Sequence, residues 1–284
     1  MKAFITGAQG CLGMTMQNLL KRENVNFLGV DIAQLDITDF KKLNEVLLNY
    51  KPDVILHFAA ISDVDECERE PEMAFHTNGL ATLGIATIAR KINAKLLYTS
   101  TNFVFDGNTE EPYFEYAQPN PINQYGKTKY LGEKYIKEVY DRYFIVRTAW
   151  LFGQNSKTFA SKFLQQKDKP RSISAICDQI GSFTYVLDLA EAIFAIMKSE
   201  NYGTYHIVNA GSGTWLDFML KAKESIKFTT ELIPVKTEEL SLSAPRPRFA
   251  PLGSKNYEFL FDKKMRIWQD ALAEFVKILN TKSG

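Results

Sequence analysis

Tyr125 and Lys129 stand four residues apart in QYGKTK, and a helix sets side chains at that spacing on one face. An ammonium beside a phenol favours the phenolate, so the pair suits proton transfer to or from a carbonyl or hydroxyl oxygen. Well upstream, TGAQGCLG at 6–13 places Gly7, Gly10 and Gly13 after an apolar strand pattern and at the start of a helical one. There Gly7 allows the tight turn, Gly10 the approach of backbone to a pyrophosphate, and Gly13 the packing of helix on strand. Cys11 and Leu12 lie in the first helical turn, whose free N–H groups meet the phosphates. Either feature alone has a plain reading, a flexible turn or an amphipathic surface pair. Together they point to a dehydrogenase with a bound dinucleotide.

Other residues fit that chemistry. LLYTSTNFVFDG at 96–107 carries an apolar strand into Ser100 and Thr101, where the Thr101 hydroxyl is placed to hold a substrate carbonyl. An unperturbed Tyr titrates near 10, and lowering it by about 3 units corresponds to about 4 kcal/mol of preference for the anion, which Lys129 and a cationic nicotinamide are expected to supply. Asp31 closes the second strand pattern about 20 residues past the glycines, where a carboxylate accepts from the ribose hydroxyls of NAD and repels the extra phosphate of NADP, favouring NAD(H). Ala59 and Ala60 in HFAAIS leave room beside the third strand for a flat group or for tight core packing. His57, inside that strand, reads as core. Gly126 and Gly132 each cost about 1 kcal/mol in a helix relative to Ala, so something is expected to pack close against it.

The elements that must position these residues follow from periodicity. Strands are expected at 2–6, 26–31, 53–58, 94–100 and 143–148, and helices at 11–23, 38–50, 72–92 and 123–140. Their alternation predicts an α/β fold, a Rossmann-type doubly wound parallel sheet. Residues 1–150 form the expected dinucleotide-binding domain and 151–284 a smaller, mainly substrate-binding α/β lobe, with segments near 185–210 returning to the sheet. In the second half, helices are expected at 185–198, 213–227 and 265–280, and a strand at 202–211. The loop 101–122 is long enough to border a site. PRPRFAPLGSKN at 245–256 is too proline-rich for a helix or a central strand.

The 284 residues, 45% hydrophobic, suffice for one large core and a lobe packed on it. A formal charge of +1, from 34 basic and 33 acidic side chains mixed along the chain, offers no polybasic field for nucleic acid or an anionic membrane. The first residues are too briefly apolar for a signal peptide, and no run reaches the length of a membrane span, so a cytoplasmic protein is expected. Cys11, Cys67 and Cys177 lack the spacing of a disulfide framework or zinc site and read as buried packing residues.

Taken together, TGAQGCLG, STNFVFDG, NPINQYGKTKYLGE and RTAWLFG resemble the extended short-chain dehydrogenase/reductases. LDITD at 35–39, VDECE at 64–68, DQIGSFTY at 178–185 and the Arg-Pro at 246 are similar to the dTDP-4-dehydrorhamnose reductases among them. The resemblance spans nearly the whole chain. It implies reduction of the 4-keto group of a nucleotide-linked deoxysugar by NADH or NADPH, dTDP-4-dehydrorhamnose to dTDP-rhamnose, with Thr101, Tyr125 and Lys129 as the catalytic triad. It also implies Asp36 and Ile37 at the cofactor, Val64, Asn102, Phe103, Trp150 and Gln179 about the sugar, Asp178 in the substrate lobe, and Arg246 near the diphosphate. A homodimer through helices at 72–92 and 123–140 is a further implication. Some such enzymes hold magnesium at that contact, but no carboxylate cluster here identifies ligands. The chain departs from the pattern at Ile61 and Asp63, and has Asn102 and Phe103 for Asp-Tyr, Phe183 for Pro and Ala250 for Ser. Another nucleotide sugar, reduced or epimerised, and a non-catalytic dinucleotide-binding regulatory subunit therefore remain alternatives.

Overall fold

Five of the apolar, β-branched runs form parallel strands: β1 (Lys2–Thr6), β2 (Asn26–Val30), β3 (Val54–His57), β4 (Lys95–Thr101) and β5 (Tyr143–Thr148). The computed structural model describes residues 1–156, 158–166, 169–226 and 228–282. Short strands β6 (Leu151–Phe152), β7 (Ser172–Ile176), β8 (Ile180–Gly181) and β9 (Thr184–Tyr185) follow, and β10 (Gly203–His206) then joins β5 as the sixth strand of the main sheet. The order is β10-β5-β4-β3-β1-β2, all parallel, and it reverses direction between β1 and β3. At such a switch point the connections leave on opposite faces and open a crevice at the strands' carboxyl ends.

One face of the sheet carries α1 (Cys11–Arg22), which packs with the later helix over Val186–Lys198 around Met16, Leu20, Leu189 and Ile193. The other carries α2 (Phe40–Tyr50) and the helices over 81–92 and 124–139, around Leu43, Leu47, Ile85 and Ile136. These strands are apolar on both sides because both sides are covered.

The helix expected over 72–92 is three pieces, following α3 (Val64–Arg69): α4 (Pro71–Ala74), a π-helical turn (Phe75–Leu80) and α5 (Ala81–Ile92). In the π turn, buried Asn78 spans the backbone of Ile61, accepting from its N–H at 2.9 Å and donating to its carbonyl at 3.1 Å. After the loop comes α6 (Gln124–Val139), started by Asn123, whose side chain accepts from the Gly126 N–H at 2.8 Å.

Beyond β5 lie α7 (Phe159–Gln165), α8 (Val186–Lys198), α9 (Trp215–Ile226), strands β11 (Glu231–Val235) and β12 (Phe249–Ala250), then α10 (Lys255–Phe261) and α11 (Trp268–Lys282). Phe152, Phe163, Phe183, Phe218, Trp268 and Phe275 form a largely aromatic core among α7, α9 and α11, while α8 and α10 pack into the core beside α1. The strand expected over 202–211 ends at His206, and β12 and α10 occupy part of the segment read as irregular. Of the three cysteines only Cys67 is buried; Cys11 and Cys177 are half-buried, each with its thiol 3.3 Å from a backbone carbonyl.

Candidate active site

The glycine turn lies between the ends of β1 and β3. A Cβ on Gly7 would stand 2.7 Å from the Ala59 nitrogen and one on Gly13 only 2.2 Å from the Gly7 carbonyl, so turn, helix and strand meet too closely for side chains. Gly7 also takes a φ of +68°. Gly10 caps α1 without a side chain, leaving Cys11 and Leu12 to present the first amides. Asp31 turns toward this loop: one carboxylate oxygen accepts from the Gln9 N–H at 2.9 Å, the other from its neighbour Ile32 at 2.9 Å. Asp36 is exposed and bonded to the N–H and hydroxyl of Thr38, while Ile37 is buried. Ala59 and Ala60 are half-buried at the end of β3.

β4 and α6 bring the Thr101 hydroxyl near the Tyr125 phenol. Gly126 makes this approach possible, since a Cβ there would lie 2.0 Å from the Phe103 carbonyl. At Gly132 a Cβ would lie 2.6 Å from the Tyr98 hydroxyl and 3.0 Å from the Asn78 carbonyl. The two helix-weakening glycines are thus the points where α6 touches β4 and the π turn. Lys129, 2% exposed, holds its ammonium 4.1 Å from the centre of the Tyr98 ring, a cation–π contact in the interior.

Electrostatics correct one expectation. Lys129 does not acidify the phenol: burial, with a smaller effect of the nearby Cys67 thiol, pushes Tyr125 up to about 12 against the lowering effect of the Thr101 hydroxyl. Burial pulls Lys129 down to about 7, opposed first by the Glu133 carboxylate. Desolvation disfavours both charged forms, and the ammonium faces the Tyr98 ring. Tyr125 is accordingly a protonated acid at neutral pH.

Beneath Lys129 lies a network that periodicity did not reveal. Glu133, fully buried, accepts from Arg147 of β5 at 2.6 and 2.8 Å. Arg147 also reaches His206 Nε2 at 3.3 Å, and His206 Nδ1 lies 3.0 Å from the Tyr113 carbonyl. With Nδ1 donating and Nε2 accepting, His206 is neutral, and burial followed by the Arg147 charge lowers it to about 3. Glu133 and Arg147 lie inside two of the recognised motifs, but no spacing rule joins residues on different elements. His57 is a fully buried core residue between Thr6 and Thr82, at 2.8 and 3.1 Å.

Around the mouth, Phe103 meets Tyr125 edge to face at 5.9 Å, and the Arg246 guanidinium lies 5.9 Å from the Phe103 ring centre. Arg246 is ion-paired to Asp65 of α3 at 2.7 Å. Val64, half-buried, opens the same helix. Trp150 sits apart from the hydroxyls in the contacts it makes: it stacks on Trp215 at 4.7 Å, packs on Phe183 at 5.2 Å and holds a φ of +37°. Gly181 admits its indole, for a Cβ there would lie 2.8 Å away. Trp215 had no signal beyond being a Trp at a helix start. Gln179 is buried and donates to the Thr237 hydroxyl at 2.8 Å, and Asp178 accepts from the Thr237 N–H and hydroxyl. Asn102, 3% exposed, turns inward between Thr101 and Ala250.

The chain matches the family model described as RmlD substrate binding domain over residues 1–281. It is 32% identical to the spore coat polysaccharide biosynthesis protein SpsK of Bacillus subtilis, covering 97% of each chain. It is also 32% identical to a dTDP-4-dehydrorhamnose reductase of Streptomyces griseus, covering 99% of this chain and 94% of that one. The crystal structure of the Bacillus anthracis dTDP-4-dehydrorhamnose reductase in complex with NADP superposes with a TM-score of 0.94 at 35% identity, over 98% of this chain and 99% of the other.

Proposed function

The chain belongs to the RmlD substrate binding domain family, and from that premise we propose that it reduces the 4-keto group of a nucleotide-linked deoxysugar, with dTDP-4-dehydrorhamnose, the compound in its relatives' names, as the substrate. One observation carries the reading: two hydroxyls, Thr101 at the carboxyl end of β4 and Tyr125 in the first turn of α6, lie near each other, with the buried Lys129 on the next turn of the same helix.

The residues at the switch point fit a dinucleotide, because Gly7 and Gly13 form a cradle any Cβ would fill and α1 opens without a side-chain cap. Gly7, Gly10, Cys11, Leu12 and Gly13 would hold its phosphates, with Asp31, Asp36, Ile37, Ala59 and Ala60 about the rest. When bound, reduced nicotinamide supplies hydride to the carbonyl carbon. Tyr125 gives its phenolic proton to the carbonyl oxygen while Thr101 holds that oxygen by a hydrogen bond. Lys129, on the next turn of α6, and Tyr125 would also contact the cofactor, the Lys129 ammonium binding the nicotinamide ribose. The sugar lies between Val64, Phe103 and Trp150, and Arg246 exchanges Asp65 for the diphosphate, a partner whose oxygens its planar fork also fits.

Residues 1–150 are assigned to cofactor and 151–284 mainly to substrate. The protein is proposed to be cytoplasmic; among the described residues no helix is long and apolar enough to cross a membrane. A homodimer would form through the α4–α5 and α6 face, beside a groove of about 350 Å³ where Ile37, Phe40, Leu80 and Leu83 meet His76.

The test is oxidation of NADPH or NADH on addition of dTDP-4-keto-6-deoxy-sugar, repeated with Tyr125→Phe and with dTDP, UDP or GDP as competitors. The variant should lose about 10²-fold or more in kcat and keep its cofactor affinity. A variant near the wild-type rate would reject the role of Tyr125, and competition by UDP or GDP rather than dTDP would reject the carrier.

A further inference from the structure

The side chain of Asn102 is enclosed, and its surroundings fix which way it points. Its amide nitrogen lies 3.3 Å from the Ala250 backbone carbonyl in β12, an oxygen that only accepts. The amide oxygen therefore faces the other way, 3.3 Å from Thr101 Oγ1, and Thr101 must donate to it. One Thr101 lone pair is taken by the Phe103 N–H at 3.1 Å. The hydrogen of the Thr101 hydroxyl is thus directed by Asn102, whose own orientation is set by the carbonyl of Ala250.

We propose that Asn102 is a positioning residue for the reaction: clamped by the Ala250 carbonyl, its amide orients the Thr101 hydroxyl that holds the substrate carbonyl, and ties that orientation to the segment that carries Arg246. The idea rests on Thr101 and Tyr125 acting on a carbonyl, as read above. To serve a substrate, Thr101 must turn its hydrogen from Asn102 to the incoming oxygen. A neutral amide oxygen at 3.3 Å is a weak enough acceptor to release it, whereas a carboxylate would hold it about twice as strongly. Asn102 and Ala250 face each other across one contact, and a carboxylate at 102 would set acceptor against acceptor there.

The same segment is pinned beyond Ala250. Asn123, the cap of α6, donates to the Pro245 carbonyl at 2.9 Å, and Asp65 accepts from the Ala244 N–H at 2.9 Å and from Arg246 at 2.7 Å. A diphosphate that draws Arg246 from Asp65 therefore pulls on the strand whose carbonyl orients Asn102. The charged and titratable groups around the phenol are the Cys67 thiol of α3, Tyr98 of β4, Arg246 across the Phe103 ring, and Lys129 one turn on along α6. None of them contacts Asn102, whose effect is separable by substitution.

Two measurements test this. Neutron diffraction from deuterium-exchanged crystals should place the Thr101 deuteron toward Asn102 Oδ1; a Thr101 deuteron directed at Tyr125 overturns the proposal, and this readout stands whether or not the nucleotide sugar is turned over. In the kinetic arm, with wild-type turnover as control, Asn102→Leu and Asn102→Asp should each lower kcat about 10-fold or more while KM for the sugar nucleotide and the cofactor Kd stay within about twofold. Asn102→Asp should in addition move the alkaline limb of kcat to higher pH, because an added carboxylate raises the phenol further, and Asn102→Leu should leave it in place. Asn102→Asp carries this arm if the Leu variant does not fold. A raised KM with unchanged kcat would make Asn102 a sugar contact and sink the idea, as would wild-type rates in both variants. Inactive wild-type protein would instead reject the proposed function while the deuteron positions still decided the orientation.

Discussion

Gly126→Ala should leave the fold standing and nearly abolish turnover. In an isolated helix the change would gain about 1 kcal/mol. Here the new methyl would fall 2.0 Å from the Phe103 carbonyl and 3.1 Å from Pro121 Cβ. To reach ordinary contact the start of α6 must retreat by roughly 1.4 Å, because backbone rather than a flexible side chain is in the way. Tyr125 is the adjacent residue, and Phe103 is the residue whose N–H orients Thr101, so the retreat opens the pair of hydroxyls directly. Misplacement of reacting groups by about 1 Å costs about 10²-fold, so kcat should drop by about that factor, with a stability loss of about 1–3 kcal/mol from overpacking. Steady-state oxidation of reduced cofactor, thermal melting and a fluorescence titration of cofactor form the assay. The titration should change little, because the glycine turn belongs to β1 and α1. Turnover within threefold of wild type would show that the close approach of α6 to β4 does not set the catalytic geometry.

Cofactor affinity should depend on pH through Lys129. Its ammonium is the form present below about 7 and is lost above it, so binding that uses the charge weakens as pH rises. Between pH 6 and 8 the Kd should increase by about tenfold, and a flat profile by titration calorimetry would exclude the contact. Glu133→Gln removes the carboxylate that opposes the lowering of Lys129, so this transition should move to lower pH. The same change leaves the Arg147 guanidinium uncompensated in the interior and should destabilise the protein by about 3–5 kcal/mol, read as a fall in denaturation midpoint.

Much of the parallel sheet was legible because its strands are buried on both faces and separated by helices with a clear period. The glycine turn, Tyr125 and Lys129 were legible for the same local reason: their chemistry is written in spacings of three and four residues. Gly126 and Gly132 announced a close neighbour without identifying it, since a missing Cβ says only that something is near. The short strands β6, β8, β9 and β12, two residues each, have no period to detect. The π turn within the expected helix at 72–92 keeps a helical pattern of apolar residues, and only the bonds of Asn78 to Ile61 mark it.

Composition and spacing by themselves determined an α/β chain with a dinucleotide turn and a tyrosine–lysine pair. The tertiary structure alone decided that burial raises the phenol and lowers the amine, that Glu133 meets Arg147 beneath them, and that the Asn102 amide lies between the Ala250 carbonyl and the Thr101 hydroxyl. Hydrogen bonds and desolvation depend on distances between elements far apart in the chain, and these distances exist only once the sheet has assembled.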